Sequence, residues 1–211
     1  VMLALRSELR SRKWFEQQGM TEPGLGEVLD LVALGTVADV VPLDYNNRIL
    51  VQQGLLRIRA GRARPGIAAL LDIAGRNATR LVATDLGFAV GPRLNAAGRL
   101  DDMSVGIACL LAENTMQAAS LAEQLDGLNK DRQQIEKGMQ AEAMKLLEKV
   151  LQADEKEVPA ALCLYDGSWH QGVVGILASR VKDKMHRPTI AFADGGTGEV
   201  KGSARSIQGL H

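Results

Sequence analysis

From Thr115 to Glu157 the sequence TMQAASLAEQLDGLNKDRQQIEKGMQAEAMKLLEKVLQADEKE runs without a proline. Its apolar residues recur at helical spacing, which predicts one continuous helix from about Thr115 to Asp154. Gly127 and Gly138 each weaken such a helix by ~1 kcal/mol relative to Ala, which is too little to break it. About 40 residues at a rise of 1.5 Å span about 60 Å, too long for one compact domain. A helix of this length joins two domains. The chain therefore divides into residues 1–112, a connecting helix at 113–157, and residues 158–211.

The two flanks differ in pattern. Before the long helix, helical segments are expected over 1–18, from near Leu25 to Pro42, at about 46–59, and from Pro65–Gly66. The segment TDLGFAVGPRLNAAGRLDDMS follows, dense in glycine and interrupted by Pro92. After Pro159 the reading changes to α/β: ALCLYD and PTIAFA as buried strands around the helix VVGILASRVKDKM, then a hairpin turn at DGGTGE leading into VKGSARSI. The fold class is thus α/β, with a mostly helical first part and a mixed sheet in the second.

Composition narrows the function classes. Lys+Arg and Asp+Glu number 25 each, so any basic surface must be local. Cys109 and Cys163 lie in apolar runs without a CxxC pair, which reads as two core thiols in a reducing compartment and argues against a cysteine zinc site. The chain has no apolar run of about 18 residues and no signal-peptide pattern, so a cytoplasmic protein that engages no membrane is expected. The helix at Val1 starts without a cap and the chain stops just after a strand-like run, so it reads as a piece of a longer protein.

Four places could carry chemistry. In DLVALGTVADVVPL, Asp39 is the only charge between Leu31 and Leu43, where a buried carboxylate requires a partner, a proton or a cation. At about 100° per residue Asp30 falls on the opposite face and cannot share its site. An Asp that merely caps a helix or ends a strand is the simpler alternative. In GPRLNAAGRLDD, small residues leave the backbone approachable while Arg93 and Arg99 offer planar cations suited to phosphate, with Asn95 between them. In SWHQGVVGILASR, His170 sits at a predicted helix start, Gly172 and Gly175 permit close approach, and Trp169 offers a stacking surface. In KGSARS, strand alternation puts Ser203 and Arg205 on one face. The basic turn of Arg57, Arg59, Arg62 and Arg64 reads as a solvated edge.

The order of LVALGTVADVVPL, GPRLNAAGRLDD, a long helix, WHQGVVGILASR and KGSARS closely resembles the RecJ family of single-stranded-DNA-specific 5′→3′ exonucleases, within the DHH phosphoesterase superfamily. The resemblance covers nearly all 211 residues. It implies that 1–112 is the C-terminal part of a DHH catalytic domain and 158–211 the start of a DHH-associated domain. It implies two divalent ions, Mn²⁺ or Mg²⁺, with Asp39 as one catalytic ligand. Arg93, Asn95 and Arg99, and His170, Ser203 and Arg205 in the second domain, would then face the DNA strand. The implied activity is degradation of single strands to mononucleotides in recombination and repair, with single-strand-binding protein and a helicase as partners. The chain lacks Asp-His-His, Asp-x-Asp and the GGH expected after GLH, so the remaining ligands would lie outside it and the piece alone would be inactive. A DHH oligoribonuclease that also dephosphorylates a nucleotide, or a RecJ-like module that binds without cutting, are the alternatives.

Overall fold

A computed structural model of the chain describes residues 2–153, 159–196 and 198–210. The chain forms two compact units, Val1–Pro92 with Ala108–Ala122, and Arg93–Ile107 with Glu123–His211.

The first unit is helical. It contains α1 (Met2–Ser11), α2 (Trp14–Gln17), α3 (Leu29–Ala38), α4 (Tyr45–Arg59), α5 (Pro65–Ile73) and the single turn α6 (Ala83–Asp85). The one helix expected over 1–18 is broken at Lys13, whose φ of 53° is left-handed. Asp44 starts α4 by accepting the amide of Asn47 at 2.8 Å, and Pro65 opens α5, where its missing N–H costs nothing. Leu34, Leu55, Ile58, Leu70, Leu81 and Leu86 form part of its core. Helices α3 and α4 approach closely because residue 54 is glycine: a Cβ there would lie 2.2 Å from the Leu29 carbonyl oxygen.

Helix α3 stops earlier than expected. Its last residue is Ala38, with Asp39 as the C-cap, three residues short of Pro42. The Val40 amide bonds the Val37 carbonyl at 3.2 Å and the Val41 amide bonds the Thr36 carbonyl at 3.0 Å. This is a Schellman ending, with Val40 at φ 54° in the position that glycine usually fills.

The glycine-dense segment is helical, a five-residue π-turn (Leu86–Val90) leading directly into α7 (Gly91–Leu100), then α8 (Ser104–Leu111). Pro92 is tolerated in the first turn of α7. Gly87 and Gly91 serve approach rather than breakage, since a Cβ on them would meet Val37 Cγ1 and Ala38 Cβ, each at 3.2 Å.

Helix α9 (Thr115–Ala153) is unbroken over 39 residues, as its period predicts. Asp154 and the rest of the pattern to Glu157 lie outside the described residues. Gly127 and Gly138 face open space.

In the second unit β1 (Leu162–Tyr165), α10 (Val174–Met185), β2 (Thr189–Gly196) and β3 (Glu199–Arg205) form a three-stranded mixed sheet in the order β1-β2-β3. β1 runs parallel to β2, with Leu162 opposite Thr189. β2 and β3 form the expected hairpin, with Thr189 opposite Arg205 and Phe192 opposite Gly202. Residues Met139, Ala143 and Leu147 of α9, four apart on one stripe, join Leu164, Leu177 and Ala191 in its core. The strands are not buried on both faces as their composition suggests. Leu162 and Leu164 are buried while Cys163 and Tyr165 are exposed, so Cys163 is a surface thiol and only Cys109 is a core one. No helix among the described residues is long and apolar enough to cross a membrane.

Candidate nucleic-acid interface

In the first unit Asp39 is not the buried carboxylate that its apolar run suggests. Asp30 is the buried one, at 0% exposure, and its oxygens accept the amides of Leu31 and Arg64, each at 2.9 Å. Asp39 is exposed at the end of α3. The basic turn is only partly a solvated edge: Arg62 is exposed, but Arg59 donates to the Leu81 carbonyl at 2.8 and 2.6 Å, and Arg64 lies 3.8 Å from Asp30.

Asp39 is a poor cap. A carboxylate at a helix C-terminus meets the negative end of the helix dipole, which disfavours it and favours a cation beside it. Its side chain makes no hydrogen bond or ion pair among the described residues. The exposed oxygens suit a hard divalent ion as one ligand. They do not make a centre by themselves, since no group of three or more His, Cys, Asp or Glu among the described residues is placed to hold a metal.

In the second unit, three of the sequence motifs converge. The loop after β1 docks on the end of α7: Arg99 Nη1 donates to the Gly172 carbonyl at 3.3 Å, and a Cβ on Gly172 would fall 2.1 Å from the Arg99 carbonyl oxygen and 3.2 Å from His170 Cε1. His170 precedes α10 by four residues, and its Nδ1 accepts the Gly172 amide at 3.1 Å. At the start of α10, a Cβ on Gly175 would lie 2.9 Å from Arg205 Nη2 and 3.0 Å from Ser203 Oγ. Ser203 and Arg205 do share a face, with Arg205 Nη1 donating to Ser203 Oγ at 2.9 Å. Glycines at 172 and 175 therefore let the arginines lie against backbone.

Arg99 feels this company. Burial lowers its guanidinium pKa from the ordinary value, and repulsion from Arg132 and Arg205 lowers it further, while Glu136 pulls the other way. Arg132, on α9, was not singled out from sequence. Its Nη1 donates to Glu136 Oε2 at 2.6 Å, and Arg180 Nε on α10 donates to Glu136 Oε1 at 3.0 Å. The i,i+4 spacing of Arg132 and Glu136 was visible in the sequence, but their link to Arg180 was not.

The remaining candidates separate. Arg93 is committed to Asp126 of α9, with Nε at 2.9 Å and Nη2 at 2.8 Å. Asn95 is exposed on α7. Trp169 is no stacking surface. At 3% exposure it belongs to the core, with its indole N–H on Glu142 at 2.9 Å.

A guanidinium cluster lies against glycine-lined backbone at the start of α10, an arrangement chemically suited to holding a phosphate. Residues 157–211 match the DHHA1 domain family. Over its full length the chain belongs to the RecJ family. It is 63% identical to the single-stranded-DNA-specific exonuclease RecJ of Salmonella typhimurium and 62% identical to that of Escherichia coli, over all 211 residues. It spans 36% of the length of each, about a third. The crystal structure of RecJ from Thermus thermophilus in complex with Mg²⁺ superposes with a TM-score of 0.73 at 34% identity, over 93% of this chain and 29% of that one. A second solved structure, exonuclease RecJ bound to manganese, gives 0.73 at 36% identity, over 93% of this chain and 46% of the other.

Proposed function

We propose that the chain is the strand-gripping middle of an exonuclease that degrades single-stranded DNA from the 5′ end to mononucleotides, in recombination and repair. Residues 1–112 are the end of its DHH catalytic domain, 113–157 the connecting helix, and 158–211 the start of the DHH-associated domain. The observation that carries this reading is the meeting of Arg99, Ser203 and Arg205 at Gly172 and Gly175, from three distant motifs in one unit. Planar guanidinium groups there bind phosphate in a fixed geometry, and such contacts carry no base information. His170 lines the strand beside them, and Asn95, exposed on α7, and Arg93, held by Asp126, line it further along.

Asp39 contributes one ligand to a pair of Mn²⁺ or Mg²⁺ ions whose other ligands lie outside this chain. Two such ions activate water and steady the leaving oxygen of a phosphodiester. Asp39 presents its oxygens to them from a helix end that favours positive charge. Single-strand-binding protein and a helicase deliver the substrate, and the work takes place in the cytoplasm.

The test uses the full-length parent protein. Arg205→Ala should weaken single-strand binding roughly ten- to a hundredfold at fixed salt, the scale of one charge-assisted contact. The log–log salt slope should become shallower by about 0.7, and the loss should be equal across sequences. If the group held is the 5′ phosphate, the penalty shrinks on a 5′-hydroxyl strand. Asp39→Asn should abolish Mn²⁺-dependent turnover and leave binding largely intact. Unchanged affinity in the first variant, or normal turnover in the second, would remove that residue from the site.

A further inference from the structure

Close enough to Arg99 for Arg132 and Glu136 to act on its charge lies an ionic triad that the strand-binding reading does not require. Glu136, 8% exposed on α9, uses both carboxylate oxygens: Oε2 accepts from Arg132 Nη1 at 2.6 Å and Oε1 accepts from Arg180 Nε at 3.0 Å. Arg132 is also largely buried, its side chain 13% exposed. Its Nη2 donates to Asn129 at 3.2 Å, Asn129 itself being buried. Among the described residues its Nε has no hydrogen-bond partner. Arg180 is half in solvent.

This is a costly arrangement. Two cations share one buried anion, and buried ion pairs return little net stability even when balanced. Like charges at close quarters disperse unless something holds them. Burial lowers the Arg99 pKa, repulsion from Arg132 and Arg205 lowers it further, and Glu136 opposes them. Bonds from two of its nitrogens, Nη1 to Glu136 and Nη2 to Asn129, fix the Arg132 guanidinium in orientation as well as position, which a diffuse charge would not do.

We propose that Glu136 is a positioning residue, holding Arg132 near Arg99 and Arg205 so that the three guanidiniums stand assembled before a strand phosphate arrives. Arg180 completes the clamp by occupying the second oxygen, so the carboxylate cannot turn to salt-bridge the exposed arginines and compete with the phosphate. The inference rests on the strand-binding reading above and adds the origin of its preorganisation, which saves the ligand the cost of gathering repelling cations.

The two possible roles of a carboxylate here give opposite signs. As a simple charge, Glu136 repels the phosphate, and removing it tightens binding. As a positioning residue, its removal weakens binding. The experiment measures fluorescence anisotropy of a labelled 5′-phosphorylated oligothymidylate on the full-length protein in EDTA, so that no turnover intervenes, across a salt series. Glu136→Gln should lower affinity roughly tenfold, the scale of one lost charge-assisted contact, with a shallower salt slope. Arg132→Lys keeps the charge without the fork and should not restore affinity. Arg180→Met, at a half-exposed position that leaves the core intact, should weaken binding in the same direction. Added to Glu136→Gln, it should cost nothing more.

Unchanged or tighter binding by folded Glu136→Gln, or by Arg180→Met should the first variant fail to fold, overturns the proposal. A lowered unfolding midpoint with affinity and salt slope intact assigns the triad to stability alone and equally overturns it. Arg205→Ala separates the two readings. If that variant weakens binding while the triad variants do not, only the positioning role falls. If none weakens binding, the strand-phosphate reading falls as well.

Discussion

Val40 stands in a left-handed conformation that β-branched residues rarely adopt, at φ 54°, directly after Asp39. A non-glycine residue there costs about 1–2 kcal/mol. The Val40 side chain is 85% exposed, so little packing offsets this cost. Val40→Gly should therefore raise stability by about 1 kcal/mol, read as a higher urea midpoint at unchanged slope. A lower midpoint would mean that the valine side chain packs in a way its exposure does not suggest. The same residue explains why Asp39 lies nearer the surface than its apolar run suggests. The lone charge was legible, but the helix end was not, because the usual glycine at the residue after the cap is missing and Pro42 looked like the stop. With α3 read three residues too long, Asp39 fell inside an apolar helix instead of on its exposed end.

Helix α9 was the most legible element, because an unbroken period over 39 residues admits few other folds. Its polar inward groups were not legible, since their partners come from elsewhere in the fold. Asp126 is one of them, paired with Arg93 of α7 and, at 2.7 Å, with Lys130 one turn on. Burial alone would raise its carboxyl pKa, but the bonds and charges of Lys130 and Arg93 outweigh burial and hold it below the ordinary carboxylate range. A depressed folded value stabilises the folded state above the unfolded pKa, and that stability is lost as pH falls through the folded one. Asp126→Asn should thus cost about 1.5–3 kcal/mol at neutral pH. The gap to the unsubstituted protein should hold down to about pH 5 and close below about pH 4. Urea midpoints along a pH series test this, and a gap that persists at pH 2 would place the effect in packing. Composition also misled for the strands. Apolar runs of four to six residues fit burial on one face or both, and only the fold shows that Cys163 points outward.

At the scale of the whole molecule, equal numbers of acidic and basic residues leave no general attraction for DNA, so the proposed affinity has to come from where the arginines gather. They gather in the second unit, where Arg99 feels the charge of Arg132 and Arg205. Asp39, the ligand proposed above, lies in the first unit, and a hard ion needs several oxygen ligands. On the proposed reading the chain carries a strand grip, while among the described residues no group of three or more His, Cys, Asp or Glu is placed to hold a metal. The chain by itself should release no mononucleotides from a labelled single strand in Mn²⁺. It should still bind that strand, with a log–log salt slope of about −1.4 if Arg99 and Arg205 each neutralise one phosphate. Adding Arg205→Ala should halve the slope. Turnover above background would show that Asp39 and its neighbours suffice for chemistry. Binding that ignores salt would show that the guanidinium cluster serves the fold and not the strand.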